Sequence, residues 1–125
     1  MMGLRYRGIR VQDLDRSLSC YTEWMGLKEH ERRRGPHRGV WVLLRDPRTR
    51  QGLELNWYPV DSPYWKAYTP GEGLDHLGFH DSDPERTFRS LLGLGAEPAL
   101  VPEQSLGIRG IYYLKDPDSN WVVLY

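Results

Sequence analysis

The chain has 125 residues, 39% hydrophobic and 27% charged, with seventeen Lys and Arg against seventeen Asp and Glu. That length supports one ordinary domain with a real core, and the composition is that of a soluble globular chain. The neutral total argues against nucleic acid or an anionic membrane as the main partner, because both select a basic excess.

In chain order, "MMGLRYRGIR" holds no apolar signal core, and no later run reaches membrane-spanning length, so a cytoplasmic protein is expected. "YRGIRV", Tyr6 to Val11, alternates around Ile9 and Val11 and predicts a strand. Asp13 suits an N-cap. Leu14, Leu18, Tyr21 and Met25 recur at helical spacing, and Gly26 offers a left-handed stop. Cys20, the single cysteine, cannot form an intrachain disulfide and reads as packing on that helix. Three strands are predicted next: about Lys28 to Arg33, Val40 to Leu44 and Leu53 to Trp57, the last two joined by the turn "RDPRTRQG". The basic run "EHERRRGPHR", residues 29–38, reads as a solvated hairpin edge. Its sharper reading is a mouth that draws an anionic substrate.

The segment 59–73, "PVDSPYWKAYTPGEG", is too rich in Pro and aromatics for a free linker and predicts a packed crossover. "LDHLGF" is then a strand. Asp83 is an N-cap, Pro84 fits the first helical position and Glu85 suits the positive helix end. Phe88, Leu91 and Leu92 give the apolar face and Gly95 the stop. Further strands are predicted near Pro98 to Val101, Ile111 to Leu114 and Trp121 to Tyr125. "DPD", Asp116 to Asp118, reads as turn chemistry.

The two halves superpose as strings. Tyr6 falls on His76, Gly8 on Gly78, Asp13 on Asp83, "LRDP" on "LKDP" and "LEL" on "VVL". The period is too long for a solenoid and predicts a duplicated βαβββ module, about 4–58 and 74–125, joined by the 59–73 crossover. The fold class is α+β.

Together "GIRVQDLDRSLSCYTEWMGL", "GLELNWYP", "GLDHLGF" and "LKDPDSNWVVLY" resemble the vicinal oxygen chelate superfamily, which includes glyoxalase I, bleomycin-resistance proteins and extradiol dioxygenases. The resemblance covers essentially the whole chain and implies two tandem modules forming a half-open curved sheet cup. It also implies a homodimer. Metal ligands in such proteins come from the first and last strands of each module, which here are Tyr6, Glu54, His76 and Val123. His76 and Glu54 match the pattern. Tyr6 stands where His is common, and Val123, with no lone pair, stands where Glu is expected.

The resemblance thus implies a glyoxalase-like, lactoylglutathione lyase-related protein acting on a small molecule with vicinal oxygens. A divalent metal (Ni, Zn, Mn or Fe) would sit on the incomplete set His76 and Glu54, with Glu54 as the proton-moving group. The alternative is a metal-free binding protein of the bleomycin-resistance type. Five Trp and eight Tyr in this short chain suit a flat ligand. Tyr6, Trp57, His80 and Trp121 are the expected substrate contacts. Within "LELNW", Leu53, Leu55 and Trp57 point one way, and Glu54 and Asn56 the other.

Overall fold

The computed structural model describes residues 5–35, 38–72, 74, 76–99 and 110–125. It divides into two units, Met1–Tyr68 and Thr69–Tyr125, with the division inside the predicted crossover.

The first unit runs β1 (Tyr6–Arg10), α1 (Leu14–Ser19), a π-helical turn (Cys20–Trp24), β2 (Lys28–Arg34), β3 (Val40–Arg45) and β4 (Gly52–Trp57). Its sheet has the order β1-β4-β3-β2, with β1 parallel to β4 and the other pairs antiparallel. Strand alternation sends Ile9, Val42, Leu44, Leu53 and Leu55 to one buried face, against which α1 packs. The Asp13 side chain accepts from Arg16 N at 3.1 Å, which satisfies a first-turn donor of α1. Gly26 takes φ 77°, the left-handed stop that its position predicts.

One feature of α1 departs from its predicted stripe. The π-helical turn inserts a residue into the helical repeat, so Cys20 and Tyr21 are buried while Leu14, Leu18 and Met25 are only half-buried. Thr22 Oγ1 donates to Leu18 O at 2.6 Å, a bond from side chain to preceding turn that accompanies helix distortion.

The second unit repeats the order: β5 (His76–Phe79), α2 (Pro84–Gly93), β6 (Glu97–Pro98), β7 (Tyr112–Lys115) and β8 (Trp121–Leu124). Its sheet, β5-β8-β7-β6, pairs β5 parallel to β8. The Asp83 side chain caps α2 through Arg86 N at 3.2 Å, Pro84 occupies the first turn, and Gly95 ends the helix region with φ 99°. Phe88 and Leu91 bury with Leu114, Val122 and Leu124, and the Phe88 ring lies 5.2 Å from that of Tyr112. Within the described residues β6 covers Glu97–Pro98. Pro98 has no N–H to donate, and although Ala99 N still reaches Tyr113 O at 2.9 Å, the rest of the predicted strand, Leu100 and Val101, lies outside the described residues.

Candidate functional site

Each sheet has a second face, away from its helix, and the candidate residues divide between these two faces. In the first unit the register is Tyr6 opposite Gly52, Gly8 opposite Glu54 and Arg10 opposite Asn56, with Leu43 and Trp41 next across β3. Glu54 is half-buried between Gly8 and Leu43. Its carboxylate makes no side-chain hydrogen bond or ion pair among the described residues. Gly8 keeps this spot open: a Cβ there would stand 3.2 Å from Asn56 Nδ2 and 4.0 Å from Glu54 Oε1. Tyr6 is 46% exposed at the strand's start.

Arg10 ties the chain after β4 to this sheet. Its Nη1 donates to Tyr64 O at 2.6 Å, and its guanidinium stands 5.5 Å from the Tyr58 ring centre. Tyr58 and Tyr64 lie 5.6 Å apart. Tyr58 and Tyr64 are thus tied to the first unit's sheet, while residues 63–67 of the crossover are exposed. Arg38 adds an ion pair to Asp61 and holds that carboxyl below the usual carboxylate range.

Trp57 does not join Glu54. The pleat puts it on the helix side with Leu55, where its Nε1 donates to Gln12 O at 3.2 Å.

In the second unit His76 stands opposite Trp121 and Gly78 opposite Val123; across β7, Lys115 faces Trp121 and Tyr113 faces Val123. The Tyr113 and Trp121 rings meet edge-to-face at 5.8 Å, and those of His80 and Tyr125 at 5.7 Å. Trp121 is 37% and Tyr125 53% exposed, while Val123 is buried at 7%. A Cβ on Gly78 would stand 3.4 Å from Tyr125 Cε1, so the glycine makes room for that ring. The structure thus brings His76 and Trp121 together on one face and sets His80 beside Tyr125. Tyr113, Lys115, Tyr125 and Arg10 were not singled out from sequence. Counting back across the Asp116 turn would have found Tyr113, and the repeat places Arg10 at the slot of His80.

The donor chemistry bears on a metal. Among the described residues no three His, Cys, Asp or Glu side chains gather at ligand spacing. The first module's face offers Glu54, and the second module's offers His76 and, at the far end of β5 beside Tyr125, His80. On the His76 face Val123 has no lone pair, and the Lys115 ammonium shares the surface. This set does not fit a cation held by a first-strand and a last-strand ligand from each module. Asp75 lies outside the described residues.

Two of the basic segment's four arginines pair with its own two glutamates. Arg32 Nε meets Glu29 at 2.7 Å and holds that carboxyl below its ordinary range, Arg33 pairs with Glu31, and the Arg33 guanidinium stands 5.7 Å from the Trp41 ring centre. Its Pro36 and His37 lie outside the described residues.

A family model described as the Glyoxalase/Bleomycin resistance protein/Dioxygenase superfamily matches residues 3–124. No curated protein matches the chain in sequence. Among solved structures, the trypanothione-dependent glyoxalase I of Leishmania major superposes with TM-score 0.76 at 22% identity, over 99% of this chain and 86% of that one. The fosfomycin resistance protein FosX of Listeria monocytogenes, in complex with Mn(II) and sulfate, gives 0.68 at 16% identity, over 99% and 91%. An antibiotic binding protein from a Streptomyces species gives 0.66 at 19% identity, over 99% and 94%. At these identities the likeness shows the fold. Among the described residues no helix is long and apolar enough to cross a membrane.

Proposed function

Because the chain belongs to the Glyoxalase/Bleomycin resistance protein/Dioxygenase superfamily, we propose that it binds a small, flat, oxygen-bearing molecule on the aromatic face of its second module, with no metal in the contact. The observation that carries this reading is the wall formed by Tyr113, Trp121, His80 and Tyr125, with Val123 where a ligating carboxylate would otherwise stand. Exposed rings in edge-to-face pairs offer flat apolar area at low entropic cost, and His76 opposite Trp121 supplies a polar group to fix a ligand oxygen. The antibiotic binding protein shares this fold, which supports the same direction. A homodimer belongs to the reading, since β1 and β5 are end strands of their sheets and their edges can be buried by pairing.

A second reading, proton transfer of the glyoxalase type, is favoured by one observation. Glu54 keeps a half-buried carboxylate without a side-chain partner among the described residues, beside the space that Gly8 leaves. Such a group is suited to take a proton from a carbon next to a carbonyl.

The test is a titration of intrinsic Trp fluorescence, checked by calorimetry, across flat aromatic and quinone-like ligands and hemithioacetals. Binding should survive chelator and weaken about tenfold or more in Trp121→Ala. Metal-dependent turnover of a hemithioacetal, lost in Glu54→Gln and His76→Ala but kept in Trp121→Ala, would overturn the first reading in favour of the second.

A further inference from the structure

We infer that the end of the first module's sheet is a binding site for a multiply charged oxyanion of the phosphate-monoester class, built by Lys28, Arg45 and Arg50. The site is built from first-module residues alone and does not rest on the reading of the second module's aromatic face. A shallow, open groove of about 210 Å³ runs there along Lys28, Glu29, His30, Arg45, Asp46 and Arg50, among others, and what these residues expose to it is mostly their carbon stems. Both of its acids are engaged. Glu29 accepts from Arg32 at 2.7 and 3.1 Å, and Asp46 Oδ1 accepts from Arg48 N at 2.7 Å and Thr49 N at 3.2 Å. The side chains of Lys28, Arg45 and Arg50 make no hydrogen bond or ion pair among the described residues.

The strand register sets two of these cations against each other. Lys28 and Arg45 are direct partners across β2 and β3. Like charges opposite each other in an antiparallel pair repel. Arg50 adds a third cation from a backbone position with φ 66°, a left-handed conformation that favours glycine.

The repeat supplies an internal control. The slots of Lys28 and Arg45 are filled in the second module by Glu97 and Lys115, partners of opposite charge across β6 and β7. The left-handed slot of Arg50 is filled there by Ser119, with φ 65°. The fold therefore does not need three cations at this end, and one copy of the module carries them while the other is neutral. Two guanidinium groups and an ammonium match the oxygens and double charge of a phosphate monoester better than a single carboxylate.

The experiment uses the full chain and the double variant Lys28→Glu with Arg50→Ser, which installs the second module's residues. Inorganic phosphate, phenyl phosphate and acetate are titrated at low ionic strength, following arginine Nε–H and backbone amide resonances. The expected result is saturable binding of both phosphates, weaker acetate binding, and a loss of about a hundredfold in the double variant, roughly tenfold per cation. Phenyl phosphate binding tighter than inorganic phosphate would identify an organic monoester as the ligand. Equal binding would mean that the groove reads the dianion alone. A second measurement guards against misfolding: without phosphate the double variant should melt no lower than wild type, because a like-charge pair has been relieved, and phosphate should raise the melting temperature of wild type only. Linear shifts without saturation, equal affinity for acetate, or unchanged phosphate affinity in the double variant would each overturn the assignment.

Discussion

Asp116→Ala should be among the most damaging polar substitutions in this chain, and its counterpart in the other module should be far milder. Asp116 is buried in the β7–β8 turn. Its Oδ1 accepts from Asp118 N at 2.9 Å and Asn120 N at 2.8 Å, and its Oδ2 accepts from Asn120 Nδ2 at 2.9 Å. Asn120 is itself buried, so alanine would strand its backbone and side-chain donors together. Hydrogen bonds to a charged group contribute ~1.5–3 kcal/mol each, but these three share one carboxylate and are not additive, so the expected loss is about 3–5 kcal/mol. In the first module Asp46 is only half-buried and accepts from Arg48 N and Thr49 N, in a turn whose residues 47–51 are exposed. Water can replace those bonds, and Asp46→Ala should cost about 1–2 kcal/mol. Asp116→Asn, which keeps an acceptor for the two amides, should fall between.

Urea unfolding separates these cases. With slopes of roughly 1–3 kcal/mol per molar urea, a difference of ~2 kcal/mol moves the midpoint by about 1 M. Asn120 directly precedes Trp121, so the turn also sets the register that puts Trp121 opposite Lys115 across β7. Asp116→Ala should therefore shift Trp121 emission before the main unfolding transition. If Asp46→Ala proved as costly as Asp116→Ala, burial of the acceptor would not be the deciding term and the reasoning would fail.

Leu55→Ala, at a fully buried position in the centre of the first sheet, should cost about 2–5 kcal/mol, whereas Leu94→Ala, 66% exposed, should stay within ~0.5 kcal/mol by the same urea assay. Gly52→Ala should be worse than Gly8→Ala. Its Cβ would stand 2.9 Å from Tyr6 Cβ and 3.0 Å from Arg5 O, so β1 must move, while Gly8→Ala meets the tip of Asn56, which can turn. A carboxyl NMR titration should find Asp61 below the usual carboxylate range, and Arg38→Gly, which suits φ 62°, should return it to normal. Since the folded value is depressed, that contact's contribution is full above the unfolded Asp value and disappears as pH falls through the folded one, so the arm after β4 should loosen only in acid. Trp57→Phe should leave ligand titrations unchanged, because its indole serves Gln12 O on the helix side.

Much of this fold was legible because local chemistry and global arrangement agree. Asp13 and Asp83 cap where they should, Gly26 and Gly95 take the left-handed backbone that ends their helices, and alternation in "LELNW" puts Leu55 inside and Glu54 on the open face. That same alternation already set Trp57 apart from Glu54, and an aromatic count cannot override the pleat. The π-helical turn was not legible, because Leu14, Leu18, Tyr21 and Met25 already fit regular α-helical spacing. Tyr113 was missed because its relation to Trp121 and Val123 depends on hairpin register rather than on any motif. The opposition of Lys28 and Arg45 depends on register in the same way, with an irregularity between Glu29 and Glu31 that no propensity encodes.

The two modules share one backbone plan, so residues that differ at matching slots are the ones the plan leaves free. The helix-side slots differ little in kind: Leu44 matches Leu114, and Leu53 and Leu55 match Val122 and Leu124. The open-face slots differ in chemistry. Tyr6 beside Gly52 matches His76 beside Trp121, and Glu54 matches Val123. At the sheet end, Lys28 and Arg50 match Glu97 and Ser119. Neither packing nor turn geometry requires these contrasts, since each slot is satisfied in the other module by a residue of different charge or size. What distinguishes the modules is therefore what each presents outward: the first carries cations and an uncommitted carboxylate, the second a wall of rings. The Trp121→Ala and Lys28→Glu/Arg50→Ser variants would remove these two features one at a time, each within its own module.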